Sequence, residues 1–112
     1  MPKRAPVRRV KEFVRHISHE ERIHCRIERE NGTITEWSFS YELEINGRSI
    51  NPCRVDNAHG YSHVDRETAD GQPFGEKQAL GVVRPEEAAE FLDEIVIVNR
   101  RRVLRELGIE AD

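Results

Sequence analysis

Apolar and polar residues alternate most cleanly between residues 21 and 55. Ile23, Cys25 and Ile27 alternate with His24, Arg26 and Glu28, and Asn31-Gly32 then supplies a two-residue turn. The next run sets Trp37, Phe39, Tyr41, Leu43 and Ile45 on one face and Ser38, Ser40, Glu42 and Glu44 on the other, before a second Asn-Gly at 46–47. Period-two alternation marks a strand with one buried face. Asn-Gly accepts positive φ at both central positions, as a type I′ hairpin turn requires. Together these features predict a three-stranded antiparallel meander. Ile34 is out of phase with Trp37, which predicts a bulge or a late start of the second strand. The third strand is expected over about 48–55, with Pro52 placing it at an edge or shortening its ladder. A fourth is expected over 61–66.

Helical spacing occurs near both ends of the chain. Val7, Val10, Phe13, Val14 and Ile17 recur at intervals of three and four, which predicts a short amphipathic helix broken by Ser18–Glu21. Pro85 is placed as the first residue of a longer helix. Acidic residues (Glu86, Glu87, Glu90, Asp93, Glu94) lie toward its start and arginines (Arg100, Arg101, Arg102, Arg105) toward its end, as the helix dipole favours. Ala88, Phe91, Leu92, Ile95, Val98, Val103 and Leu107 form its apolar stripe, and Gly108 supplies a C-terminal cap. Residues 68–75 read as a polar loop, and 76–84 as an ambiguous stretch with a short strand through Leu80–Val83. The fold class expected is α+β: an antiparallel four-stranded meander, a short N-terminal helix, and a long C-terminal helix packed on one face. One domain over 7–108 is expected, with a disordered basic arm at 1–6 and a tail at 109–112.

A chain of 112 residues has room for one core. Apolar residues make up 37% and charged residues 35%, so the core must be thin and the surface heavily charged. No run approaches the roughly 18 apolar residues of a membrane span. The basic N-terminus has no apolar stretch behind it, so a secretory signal is not expected, and the cytoplasm is the expected location. Cys25 and Cys53 belong to no CxxC pair and read as reduced, partly buried thiols. The net charge of −3 hides an asymmetry, because residues 1–15 carry a local balance of +5 and leave −8 on the remainder. Such an arm suits nucleic acid, an acidic partner, or plain solvation.

Candidate chemistry is concentrated between residues 54 and 66. Arg54, Asp56, Asn57, His59, Tyr61, His63, Asp65 and Arg66 fall at one strand–turn–strand junction. Along an extended strand Tyr61, His63 and Asp65 share a face. Histidine titrates near neutrality, so His59 and His63 could divide the acid and base roles of RNA cleavage. Asp56 would orient an imidazole, and Arg54 or Arg66 would neutralise the phosphate. Asn57, Tyr61 and Asp65 would contact substrate, and no cofactor is called for. Other readings use the same residues: a metal site from His59, His63 and Asp56 or Asp65, binding without catalysis, or a tight turn with local hydrogen bonds.

The hairpin over 37–55, the run Arg54-Val55-Asp56-Asn57-Ala58-His59-Gly60, the following His63 and the helix from Pro85 together resemble small prokaryotic proteins grouped around the TumE-type toxins of toxin–antitoxin systems. The resemblance covers about residues 37–107. It implies a toxin-like domain that acts on RNA or translation and is silenced by a helix-turn-helix antitoxin, with Asp56, Asn57, His59 and His63 as the site. The functional expectation is therefore a ribonuclease acting by histidine acid–base chemistry. The alternative is a non-catalytic interaction or nucleic-acid-binding module that forms a homodimer or binds a partner protein.

Overall fold

A computed structural model describes residues 7–109. Six strands form one antiparallel sheet in chain order: β1 (Arg8–His16), β2 (Glu21–Glu30), β3 (Thr33–Ile45), β4 (Arg48–Asp56), β5 (Ser62–Arg66) and β6 (Gln78–Gly81). One helix, α1 (Pro85–Glu106), follows them. The α+β class, the antiparallel sheet and the C-terminal helix are as expected. Among the described residues six strands replace four, and the helix expected over 7–17 is not formed. The basic arm expected over 1–6 and residues 110–112 of the expected tail lie outside the described residues. Ile109, also assigned to that tail, is partly buried against the core.

The central meander forms for the reasons its sequence suggests. Asn31 and Gly32 adopt φ of 50° and 81°, and Asn46 and Gly47 adopt 52° and 77°, so both turns use the left-handed region that Asn-Gly tolerates. Between β2 and β3 the register shifts: Glu28 faces Glu36 but Arg29 faces Ile34, leaving Thr35 extra. That bulge puts Ile34 out of phase with Trp37. A second shift lies between β3 and β4, where Tyr41 faces Cys53 and Leu43 faces Ile50. Pro52 falls in this irregularity. A proline lacking a ladder donor is therefore tolerated inside the sheet, and β4 is not the edge strand its proline suggested.

Residues 7–17, expected to be helical, are a strand and its flanks. Each residue of β1 pairs with β2, from Arg8 opposite Glu30 to His16 opposite Arg22. All nine are exposed. A strand at the sheet edge with neither face covered is under no selection for alternation, so its apolar spacing fell at helical intervals without specifying a helix. Ser18 closes the β1–β2 turn, its hydroxyl donating to Glu21 (2.7 Å) and accepting from the Glu20 N–H (3.3 Å).

The core lies between α1 and the sheet. Ile23, Cys25, Phe39, Tyr41, Leu43, Cys53, Val55 and Val64 meet Ala88, Leu92, Val96, Val103 and Leu104. α1 packs chiefly on β4 and then on β3. Polar contacts fix its position. The Arg102 guanidinium donates to the carbonyls of Pro52 (3.2 Å) and Glu67 (2.9 Å) and lies over the Phe74 ring. Arg100 reaches Glu21 (3.3 Å), which accepts the buried Tyr41 hydroxyl (2.6 Å). Arg15 pairs with Asp93 across the open side. No described helix is long and apolar enough to cross a membrane.

Cys25 faces Phe39 and Cys53 faces Tyr41, so β3 runs between the two thiols and they cannot form a disulfide. Burial pushes the Cys53 thiol up to about 12 and raises the Cys25 thiol as well. At neutral pH the Cys53 thiol should resist iodoacetamide until the chain unfolds; fast alkylation in native buffer, read by mass spectrometry, would contradict this packing. Leu92→Ala should cost about 2–5 kcal/mol in urea titration with an unchanged slope.

Candidate functional site

β4 and β5 pair so that Asp56 faces His63 and Arg54 faces Asp65. Directly opposed residues share a sheet face, and these four lie on the side turned away from α1. The connection between the strands is the 3-10 turn Ala58–Gly60, closed by Gly60 at φ 84°. Asp56 Oδ1 accepts the Ala58 N–H at 3.0 Å. Asn57 Oδ1 accepts the Trp37 N–H (2.8 Å), while its Nδ2 donates to the Thr35 carbonyl (3.2 Å). The two residues therefore build the turn and fasten it to β3 beside the bulge.

The side chains converge tightly. His63 Nε2 lies 2.9 Å from Asp56 Oδ1 and 3.4 Å from Asp65 Oδ2, and Nδ1 lies 3.3 Å from the Tyr61 carbonyl. Arg54 Nε sits 2.9 Å from the other oxygen of Asp56, and its Nη2 is 3.2 Å from Asp65. Lys77 Nζ approaches Asp65 at 3.5 Å. The His63 side chain is 2% exposed and that of Asp56 is 7% exposed. The Tyr61 ring lies 5.2 Å from the imidazole and stays largely exposed.

Of the residues singled out in the sequence, the fold brings together Arg54, Asp56, His63, Asp65 and Tyr61. Arg66 is not among them: it pairs opposite Cys53, on the α1 side, and donates to Gln78 Oε1 at 3.0 Å. Asn57 spends both ends of its amide on β3. His59 falls within the 3-10 turn, and the roles expected of its imidazole lie outside the described residues.

The cluster is closed electrostatically. A general acid or base needs a nitrogen within hydrogen-bond reach of substrate, and both ring nitrogens of His63 already face oxygens of the protein. Asp56, His63 and Asp65 each offer a ligand-type atom, all within 4.8 Å of one another. Arg54 and Lys77 already balance the two carboxylates, so a divalent cation would add two positive charges beside two existing ones. The residues present fit an ion-pair cluster better than a metal centre.

Two features escaped local sequence reading. The sheet brings Glu12, His24, Arg26, Ser38 and Ser40 alongside Arg54 around an open hollow of about 440 Å³. Only strand register joins these side chains, which come from four strands. The other feature is the uncovered flank at β1, where Val10, Phe13, Val14 and Ile17 are 41–46% exposed.

A family model described as a domain of unknown function, DUF7718, matches residues 7–105, from the start of β1 almost to the end of α1. The chain belongs to the DUF7718 family. No curated protein and no solved structure matches it. The match makes β1 and the uncovered flank part of the DUF7718 domain, together with the 54–66 junction.

The Asp56 carboxylate is the acceptor shared by the Ala58 N–H, the half-exposed Arg54 guanidinium and the buried His63 imidazole, and removing it leaves buried donors unpaired. Asp56→Ala should therefore destabilise the chain by about 1–3 kcal/mol, measured by chemical denaturation. A loss below about 1 kcal/mol would mean that the cluster does not organise the turn. On the same face, the hydrogen bond from His24 (2.6 Å), joined by one from the Ser49 hydroxyl, holds the Glu42 carboxyl below its ordinary value of 4.5 against the effect of burial. A depressed folded-state value stabilises the fold above the unfolded value, and that contribution disappears as pH falls through the folded one. Stability should decline on acidification below about pH 4.5, and Glu42→Gln should flatten that decline in urea midpoints measured against pH.

Proposed function

We propose that this DUF7718 chain is a non-catalytic interaction module that binds a partner protein through the uncovered flank of its sheet. The observation that carries this reading is β1, a nine-residue edge strand exposed throughout, with Val10, Phe13 and Val14 left in solvent. Exposed edge strands with apolar side chains template the pairing of another chain, and the charges interleaved along β1 restrict which chain can pair. Neighbouring apolar surface extends the flank: Ile17 on β1's turn and Ile97 on α1 border a shared groove with Arg15, Arg100 and Arg101.

Histidine-based RNA cleavage is a second reading, and the convergence of Arg54, Asp56, His63 and Asp65 favours it. It would require the imidazole of His63 to leave both carboxylates before touching a phosphodiester. The resemblance to TumE-type toxins supports either reading, since it implies a protein partner as well as RNA.

A photo-crosslinking amino acid at Val14 should capture one discrete protein species in the native host. The same group at Val82, which is fully exposed far from β1 in the chain, should not. Purified protein should leave RNA intact. RNA cleavage that His63→Ala abolishes at an unchanged melting temperature would overturn the interaction reading in favour of the enzymatic one.

A further inference from the structure

The chemistry of β1 narrows what it accepts. The Val7 carbonyl receives the Asn31 N–H at 2.9 Å, and the Ile17 N–H donates to Glu21 at 2.9 Å. Antiparallel pairing alternates, so the odd-numbered residues between them turn their backbone groups toward β2. Arg8, Val10, Glu12, Val14 and His16 therefore turn their N–H and C=O outward, as an unpaired half-ladder. Their side chains lie on the face away from α1, while Arg9, Lys11, Phe13 and Arg15 lie on the α1 side.

The charges along this strand are answered unevenly. Arg8 pairs with Glu28, Arg15 with Asp93, and Glu12 with Arg26 at 3.5 Å. Among the described residues no carboxylate pairs with Arg9 or Lys11, and the Lys11 ammonium rests 5.3 Å over the Phe13 ring. A second copy of the chain is a poor occupant. Full-length antiparallel self-pairing would set Glu12 against Glu12, Arg9 against Arg15 and Arg8 against His16. Like charges directly opposed across strands are destabilising. Beside Phe13 a small apolar cavity of about 170 Å³ opens between Ile23, Cys25, Phe39 and Leu92.

We propose that β1 accepts, by strand addition, an extended segment of a partner protein that alternates acidic and apolar side chains. Its carboxylates would lie opposite Arg9 and Lys11 on the α1 side. Its apolar residues would meet Val10 and Val14 on the other face, and one bulky apolar side chain would fill the cavity beside Phe13. This assignment rests on the interaction reading above and specifies its partner by chemistry.

The probe is a short fluorescent peptide alternating glutamate and valine with one phenylalanine, titrated into the whole chain by anisotropy. Comparison peptides replace glutamate with lysine or carry N-methyl groups on alternate residues. The acidic peptide should bind on the order of tenfold more tightly than the lysine version, and the N-methylated one should not bind. The Arg9→Glu/Lys11→Glu variant should reverse the charge preference, and the amides of Val10, Glu12 and Val14 should gain hydrogen-exchange protection. Equal binding of both charge types, or no binding of either, overturns the proposal. Competition by a single-stranded RNA oligonucleotide for the same amides does so as well. Self-association that Val10→Pro abolishes replaces the acidic segment with a second copy. If the peptides fail while the Val14 crosslink persists, the partner chemistry is wrong and the interaction reading stands. If both fail, the interaction reading falls too.

Discussion

One helix cannot cover this sheet. Six strands at about 4.8 Å spacing span roughly 24 Å, while a helix with its side chains is about 10–12 Å across. α1 lies over β4 and β3, which seals the faces carrying Tyr41, Cys53 and Val55 and leaves β1 joined to it mainly through Arg15 and Asp93. The helix is held there by specific contacts as well as by apolar area. Arg102 ties it to the carbonyls of Pro52 and Glu67, and Arg100 ties it to the Glu21–Tyr41 pair. Burial is therefore graded across the sheet, from complete at its centre to slight at the first strand.

On the opposite face no buried apolar layer is found among the described residues, and order comes from charge. Arg54, Asp56, His63, Asp65 and Lys77 form a chain of contacts between 2.9 and 3.5 Å. Such a cluster adds less net stability than its Coulomb energy suggests, because Asp56 is stripped of water while Arg54 and Lys77 stay partly solvated and screened. Its effect lies in geometry: Asp56 can accept from Ala58, Arg54 and His63 at once only if β4 ends and β5 begins where they do. The same contacts that gather these residue types also occupy both ring nitrogens of His63.

Much of this was legible in the chain. The β2–β3–β4 meander followed from alternation and two Asn-Gly turns, and Ile34 announced its bulge by breaking phase. α1 was marked by Pro85, its charge polarity and Gly108. What failed was the first element. A strand buried on neither side has no reason to alternate, so Val7, Val10, Phe13, Val14 and Ile17 carried a misleading period. At the site, spacing placed Tyr61, His63 and Asp65 on one face correctly and grouped them with Asp56 and Arg54. Arg66 was lost by parity, lying one residue out of step on the other side of β5. Ser38, Ser40, His24 and Arg26 were invisible as neighbours of Arg54, since only the register of three strands joins them.

The order of elements also governs how the chain is made. α1 follows every strand it covers, so during synthesis, at about 5–20 residues per second, the apolar side of the meander emerges before its lid exists. For seconds the nascent polypeptide presents Ile23, Phe39, Tyr41 and Val55 unprotected, with an open strand edge beside them. The sheet's apolar side therefore gains its cover only after α1 has been made.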